Sequence, residues 1–156
     1  MQINISNLSE GAHTYELSED SRILELDNQF QGIAVAQVTL EKSINQIVAT
    51  VHASCKGVFV CDRCGREYDD LVTARFTSVY AWEEGEENND DDFYILQPDD
   101  NIIDISDSVA EYLTLAIPLK LLCNKSDCEI PNYSTEEDDM IDPRWEKLQK
   151  LLKTRE

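Results

Sequence analysis

The chain has 156 residues, the size of one ordinary domain that can bury a single hydrophobic core. Its 32 acidic residues outnumber 13 Lys and Arg and give a formal net charge of −19. This charge disfavours a broad nucleic-acid-binding face and favours a basic protein partner, although solubility alone would also explain it. The absence of a run of about 18 apolar residues excludes a membrane-spanning helix.

The start of the chain, Met1–Ser6, has neither a basic leader nor a continuous apolar stretch. We therefore expect no secretory signal and a cytoplasmic location. In that reducing compartment, paired cysteines indicate metal or redox chemistry before structural disulfides. No repeat or proline-rich linker divides the sequence, so we predict one domain over residues 1–156.

Alternating apolar and polar residues predict an antiparallel sheet in the first half of the chain. Residues 35–40 are rich in β-formers, and residues 41–46 fit a hairpin connection. Residues 47–55 alternate with period two, which makes Cys55 a small core residue on the apolar side. Even spacing over residues 72–82 predicts a third strand, and residues 93–96 predict a short fourth.

Two acidic runs interrupt the pattern. Residues 83–92 hold seven carboxylates in ten positions, and residues 136–139 hold four in succession. Such runs repel themselves and stay solvated, so we predict acidic loops at about 83–92 and 129–140.

Helical periodicity follows the sheet. The spacing of Ile105, Val109, Tyr112, Leu113 and Ala116 predicts one helical face, with Asp104 or Ser106 as its cap and Pro118 at its end. The Asp142-Pro143 pair predicts the start of a second helix near the C-terminus. The predicted fold is therefore α+β, an antiparallel sheet with a Cys-x-x-Cys knuckle followed by two helices.

The segment Cys61–Gly65 reads Cys-Asp-Arg-Cys-Gly and carries the most specific chemistry. Two thiolates with two residues between them can bind one zinc ion, and the following glycine suits the turn because it tolerates positive φ. Cys123 and Cys128 could supply the other half of a tetrahedral site. Cys61, Cys64, Cys123 and Cys128 thus predict a structural zinc site. Four free thiols and a redox dithiol remain alternatives, the latter weakened because no helix start near Cys61 would lower its pKa.

Catalytic groups are scarce. The two histidines, His13 and His52, lie in polar contexts without a neighbouring nucleophile, and no glycine-rich phosphate loop occurs. A zinc ion held by four thiolates would lack the open position that hydrolysis requires. We therefore expect a protein that is not an enzyme.

One basic segment departs from the general acidity of the chain. Cations there could complement the dipole of the last helix, or could bind RNA or an acidic partner surface. The candidate partner-binding residues are Arg144, Lys147, Lys150 and Lys153.

These motifs together resemble a known family. The segment Cys61–Tyr68 and the strand predicted after it resemble the central segment of the YceD family. Residues 103–118 are similar to its second signature, an acidic-capped helix ending in a Leu-Ala-Leu-Pro-like stretch. The segment Cys123–Cys128 and the closing helix at residue 142 also fit, so the resemblance covers roughly residues 33–152.

The resemblance implies a role in making or keeping large-subunit ribosomal RNA, since the family is named for accumulation of that RNA. Its genes often lie beside that of a small zinc-ribbon protein of the large subunit. We therefore expect a non-catalytic ribosome-biogenesis factor that binds the large-subunit pre-ribosome, ribosomal RNA or a basic ribosomal protein, the last through residues 83–92. An rRNA-maturation enzyme (nuclease or redox protein) and a zinc-stapled protein-interaction domain are the alternatives.

Overall fold

The computed structural model of the protein describes residues 1–82 and 92–129, of which 52% lie in strands and 8% in a helix. No helix in these two ranges is both long and apolar enough to span a membrane. The elements in chain order are β1 Gln2–Asn4, β2 Gly11–Asp20, β3 Phe30–Lys42, β4 Gln46–Val60, β5 Glu67–Ala81, β6 Phe93–Ile95, β7 Ile102–Asp104 and α1 Ser106–Leu115.

The predicted α+β fold with two helices is wrong. The described part of the chain is mostly β-sheet and contains the single helix α1. The sequence pattern underestimated the strands because β3, β4 and β5 continue well beyond the most apolar stretches, and β2 was not predicted. The second predicted helix and most of both acidic loops lie outside the described residues.

Five strands form the main sheet in the order β2-β3-β4-β5-β6, and β1 pairs with β7 in a separate two-stranded sheet. The predicted hairpin connection is confirmed, although the strands leave only residues 43–45 between β3 and β4. The predicted fourth strand forms as β6. It pairs parallel to β5, so the sheet is mixed rather than purely antiparallel.

One face of the sheet carries the core. The register aligns Val38 with Val51 and Val51 with Phe76, and all three side chains are buried. The opposite face is largely polar, as period-two alternation requires when one side meets water. Cys55 is buried on the apolar face, which confirms its predicted place in the core.

Helix α1 packs on β4 and β5 through the face predicted from its spacing. Val109 and Leu113 are fully buried, and the ring of Tyr112 stacks on Phe76 with centroids 4.4 Å apart. The cap position belongs to Ile105, not to the predicted Asp104 or Ser106.

Asp104 nevertheless stabilises the start of the helix. Its carboxylate accepts a hydrogen bond from the Ser106 N–H at 2.9 Å and lies 3.5 Å from the Met1 ammonium. Partial burial raises the pKa of Asp104, but hydrogen bonds from Ser106 and Gln2 and the Met1 charge outweigh burial and lower it to about 2.

Gly57 provides a test of the core near the end of β4. A Cβ atom at Gly57 would overlap the buried ring of Phe59, whose centroid lies 6.1 Å from that of Tyr68. We expect Gly57→Ala to lower the free energy of unfolding by about 1–3 kcal/mol, although alanine normally suits a strand interior better than glycine. Chemical denaturation measures the change.

Phe59→Leu supplies the control for this prediction. It removes the outer ring atoms that a Cβ at residue 57 would meet, so the two substitutions should be non-additive. If Gly57→Ala costs the same in the Phe59→Leu background, the overlap is not the cause.

Candidate metal centre

The first two cysteines lie in the tight turn that joins β4 to β5. Within this turn the Cys61 N–H donates to the Arg66 carbonyl at 2.9 Å, and the Gly65 N–H donates to the Cys61 carbonyl at 2.9 Å. Gly65 has φ of 69°, a left-handed conformation that favours glycine. The sequence therefore supplies glycine at the position where the turn requires it.

The second pair lies in the segment after α1, residues 119–129. This segment contacts the turn through Asp62, whose N–H donates to the Leu121 carbonyl at 2.8 Å and whose carboxylate accepts from the Leu121 N–H at 2.7 Å. The Cys128 N–H donates to the Lys125 carbonyl at 3.1 Å. These bonds position the segment beside the turn.

The four sulfurs form one cluster in which every atom lies within 4.8 Å of the others. Cys61 Sγ is 3.6 Å from Cys128 Sγ, and Cys64 Sγ is 3.8 Å from Cys123 Sγ. A disulfide would bring two sulfurs to about 2.0 Å, so the cysteines are free. Four thiolates at about 2.3 Å from one zinc ion would lie about 3.8 Å from each other. The cluster has these dimensions and could hold a metal ion.

The thiols of the cluster differ in acidity. Backbone N–H groups, first that of Cys64 and then those of Cys123 and Arg63, lower the pKa of Cys61 to about 6 against the opposing effect of burial. Burial and the neighbouring sulfurs raise the pKa of Cys128 to about 12. Negative sulfurs this close repel one another, and a divalent cation among them would relieve that repulsion.

Arg66 connects the two halves of the cluster. Its Nε donates to Cys64 Sγ at 3.5 Å, while its two terminal nitrogens donate to the Asp127 carboxylate at 2.7 Å and the Asp127 carbonyl at 2.8 Å. The Arg66 side chain, and then its backbone N–H, lower the pKa of the Cys64 thiol. It also lowers the pKa of the Asp127 carboxyl.

Neither Arg66 nor Asp127 was predicted from the sequence as part of the site. Their opposite charges and their positions beside the cysteines could have indicated the ion pair. Arg66 lies two residues after Cys64, and Asp127 lies directly before Cys128. Asp62 was also missed, because nothing in the sequence indicates its bond to Leu121.

Other candidate residues lie away from the cluster or outside the described ranges. His52 is exposed in the middle of β4, nine residues before Cys61, or about 30 Å along an extended strand. His13 is half-buried, and its Nε2 lies 2.9 Å from the Ser9 carbonyl oxygen. The predicted partner-binding residues Arg144, Lys147, Lys150 and Lys153 are not among the described residues.

A family model described as "Large ribosomal RNA subunit accumulation protein YceD" matches residues 49–152, two thirds of the chain. The chain belongs to the YceD family. No curated protein and no solved structure matches it.

The match to the YceD family begins inside β4 and contains β5, α1 and all four clustered cysteines. The resemblance predicted from the sequence is confirmed, although its expected start near residue 33 was too early. The part of the chain that matches the YceD family is thus the part that builds the cluster.

Metal content tests the cluster directly. We expect protein purified without chelator to carry about one zinc ion per chain, and Cys64→Ser to lose most of it because a hydroxyl is a poor zinc ligand. Elemental analysis of the purified protein measures this stoichiometry. Cys55→Ala, which removes a thiol outside the cluster, should retain the metal. A stoichiometry near zero in the unaltered protein would contradict the prediction.

The metal-free protein should reveal the acidity of Cys61. Because its pKa is lowered to about 6, one thiolate should form as the pH rises through about 6, well below the usual titration of cysteine. Thiolate absorbance in the ultraviolet follows this step, and Cys61→Ser should abolish it. Burial raises the pKa of Cys55, so Cys55→Ala should leave the step unchanged. A titration that begins only near the usual cysteine range would refute the assignment.

Proposed function

We propose that this protein is a non-catalytic assembly factor of the large ribosomal subunit. In this role it supports the synthesis, processing or stability of large-subunit ribosomal RNA by binding a ribosomal protein or the pre-ribosome. The observation that carries the proposal is the YceD family match over residues 49–152, because that family is described by accumulation of this RNA. We place this role in the cytoplasm, where reducing conditions keep thiols free.

We further propose that Cys61, Cys64, Cys123 and Cys128 bind a structural zinc ion. The support is the cluster of four sulfurs within 4.8 Å of one another, joined from two segments far apart in sequence. The zinc ion would fasten residues 119–129 to the tip of the β4–β5 hairpin. Its binding energy would then stabilise a region that has few buried apolar side chains of its own.

The ligand chemistry supports a binding factor over a hydrolase. Four thiolates would complete a tetrahedral zinc site and leave no position for a reactive water. Two carboxylates beside the cysteines in sequence are used in hydrogen bonds that hold the site together, that of Asp62 to Leu121 and that of Asp127 to Arg66. A nuclease would need such a group free to take part in proton transfer.

Charge supports a basic protein as the direct partner. At −19 the chain would be repelled by ribosomal RNA at long range, whereas a basic ribosomal protein would be attracted to it. On this proposal the chain reaches the RNA mainly through a protein that the RNA itself binds.

Depletion of the protein tests the proposed function. We expect the ratio of large- to small-subunit ribosomal RNA to fall in depleted cells and to be restored by the unaltered chain. Cys64→Ser should restore it only weakly, since it lacks one zinc ligand, whereas Cys55→Ala should restore it fully. Quantitative electrophoresis of total RNA measures the ratio.

An assay with purified protein distinguishes the proposed assembly factor from the alternative rRNA-maturation enzyme. Purified protein incubated with precursor ribosomal RNA should leave the RNA intact. Trimming of the precursor by the protein alone, lost in a zinc-ligand variant, would favour the enzyme. An unchanged RNA ratio after depletion would contradict the role in accumulation.

A further inference from the structure

Strand β2 forms an open edge of the main sheet. One side of its ten residues, Gly11–Asp20, pairs with β3 along the whole strand. No strand within residues 1–82 and 92–129 pairs with its other side. Unpaired backbone groups along an edge of this length are a template for another strand, and proteins commonly shorten or cover such edges.

The alternation of antiparallel hydrogen bonds identifies the open backbone groups. The Ser21 N–H donates to the Gly32 carbonyl at 2.9 Å, just beyond the last pair of the ladder. Residues of the same parity in β2 therefore direct their N–H and C=O groups toward β3. The intervening residues direct theirs outward. The Asp20 carbonyl accepts from the Ile23 and Leu24 N–H groups, so the residues with open backbone groups are Ala12, Thr14, Glu16 and Ser18.

The edge is acidic. Strand β2 contains Glu16, Glu19 and Asp20 and no Lys or Arg. Asp20 lies 3.2 Å from the Arg22 guanidinium, but Glu16 and Glu19 have no ion-pair partner among the described residues. An incoming strand would thus meet two uncompensated carboxylates, one on each face of the sheet.

The inner side of the edge is incompletely covered. Tyr15 and Leu17 point to the core face, opposite Val38 and Ala36 of β3. Their β3 neighbours are fully buried, whereas Tyr15 and Leu17 are only half-buried against the core. An additional strand would shield their apolar surface from water, and this burial would add to the main-chain hydrogen bonds.

From these observations we infer that β2 binds an extended basic segment of a partner protein as an additional strand of the sheet. The segment alternates cationic residues, which face Glu16 on the open side, with apolar residues that cover Tyr15 and Leu17. The inference rests on the proposed function only for the class of partner, a basic ribosomal protein. It assigns the contact to a part of the chain outside the family match, which begins at residue 49.

Pairing of two β2 strands is the main competing arrangement. An antiparallel pair centred on Glu16 would place the Glu16 carboxylates of two copies directly opposite each other. Like charges placed so closely across strands are destabilising. A basic strand removes this repulsion, which is why we favour it over a second copy.

The test uses the full chain and a labelled ten-residue peptide that alternates lysine with valine. Fluorescence anisotropy at low salt should show saturable binding that weakens as salt is added. Thr14→Pro removes an outward N–H without removing a bond to β3, so we expect the dissociation constant to rise about tenfold. Thr14→Val keeps the N–H and the β-branched shape, and it should bind like the unaltered chain.

Charge is tested separately from backbone pairing. Glu16→Lys should weaken binding about threefold or more at low salt, since an attractive cross-strand pair becomes a repulsive one. Glu111→Lys, at an exposed position of α1, changes the net charge equally and should have little effect. A peptide that alternates glutamate with valine should not bind.

Amide hydrogen exchange locates the contact. In the free chain, the N–H groups of Ala12, Thr14, Glu16 and Ser18 should exchange quickly, whereas those of His13, Tyr15 and Leu17 should be protected. The lysine–valine peptide should slow exchange at the first four positions. Protection of these four in the free monomer would mean that the chain covers its own edge, and would overturn the inference.

Three other results would also overturn it. These are absence of peptide binding at low salt, equal binding by Thr14→Pro and Thr14→Val, and a dimer in solution that Thr14→Pro dissociates. A further such result is binding that is abolished by neutralising residues 83–92 but not by Glu16→Lys. That result would assign the contact to the acidic run at residues 83–92 instead of β2. None of these results alters the RNA ratio expected on depletion. The proposed function and the proposed binding role of β2 can therefore be refuted independently.

Discussion

The ladder between β4 and β5 is the constraint on which the rest of the structure depends. It joins fifteen consecutive residue pairs without a register shift, from Gln46 with Ala81 to Val60 with Glu67. A slip by one residue would turn every buried side chain of one strand to the solvent. The register therefore fixes three things together: the core face under α1, the position of the turn that carries Cys61 and Cys64, and the far end where the acidic run follows β5.

The cysteine cluster joins the β4–β5 turn to a segment, residues 119–129, that is not part of the sheet. Residues 119–129 contain no strand or helix, and their described contacts with the turn are polar, through Asp62 and Arg66. Leu119 is fully exposed and Leu121 only half-buried, so apolar burial contributes little here. Four thiolates around one cation would supply the missing stabilisation, since metal binding energy becomes folding energy when the ligands come from separate segments.

The sequence predicted the grouping of the four cysteines better than it predicted the fold. Spacing and residue type were enough to group Cys61, Cys64, Cys123 and Cys128, and the structure brings their four sulfurs together. The fold prediction was wrong because polar residues on the open face obscured the strands. Strand β2 was not predicted because it contains few strong β-formers. Its half-buried residues His13, Tyr15 and Leu17 do alternate with exposed ones, but this alternation was too weak to indicate a strand. Arg66 and Asp127 lie 61 residues apart, and only the folded chain brings their charges together.

Strands β1, β2 and β3 and the first residues of β4 lie outside the family match. A hairpin of β4 and β5 alone would be marginally stable in water, so β3 and β2 are needed to complete the core. Pairing of these strands requires only that apolar and polar residues alternate along them. The turn at Cys61, in contrast, requires a glycine at Gly65, and the sulfur cluster requires thiols. A change of exposed charge on the outer strands would therefore leave their pairing intact, whereas loss of one thiol would break the four-sulfur cluster. The acidic edge at β2 is such a feature of the exposed surface, and β3 separates it from the β4–β5 hairpin whose turn carries Cys61 and Cys64.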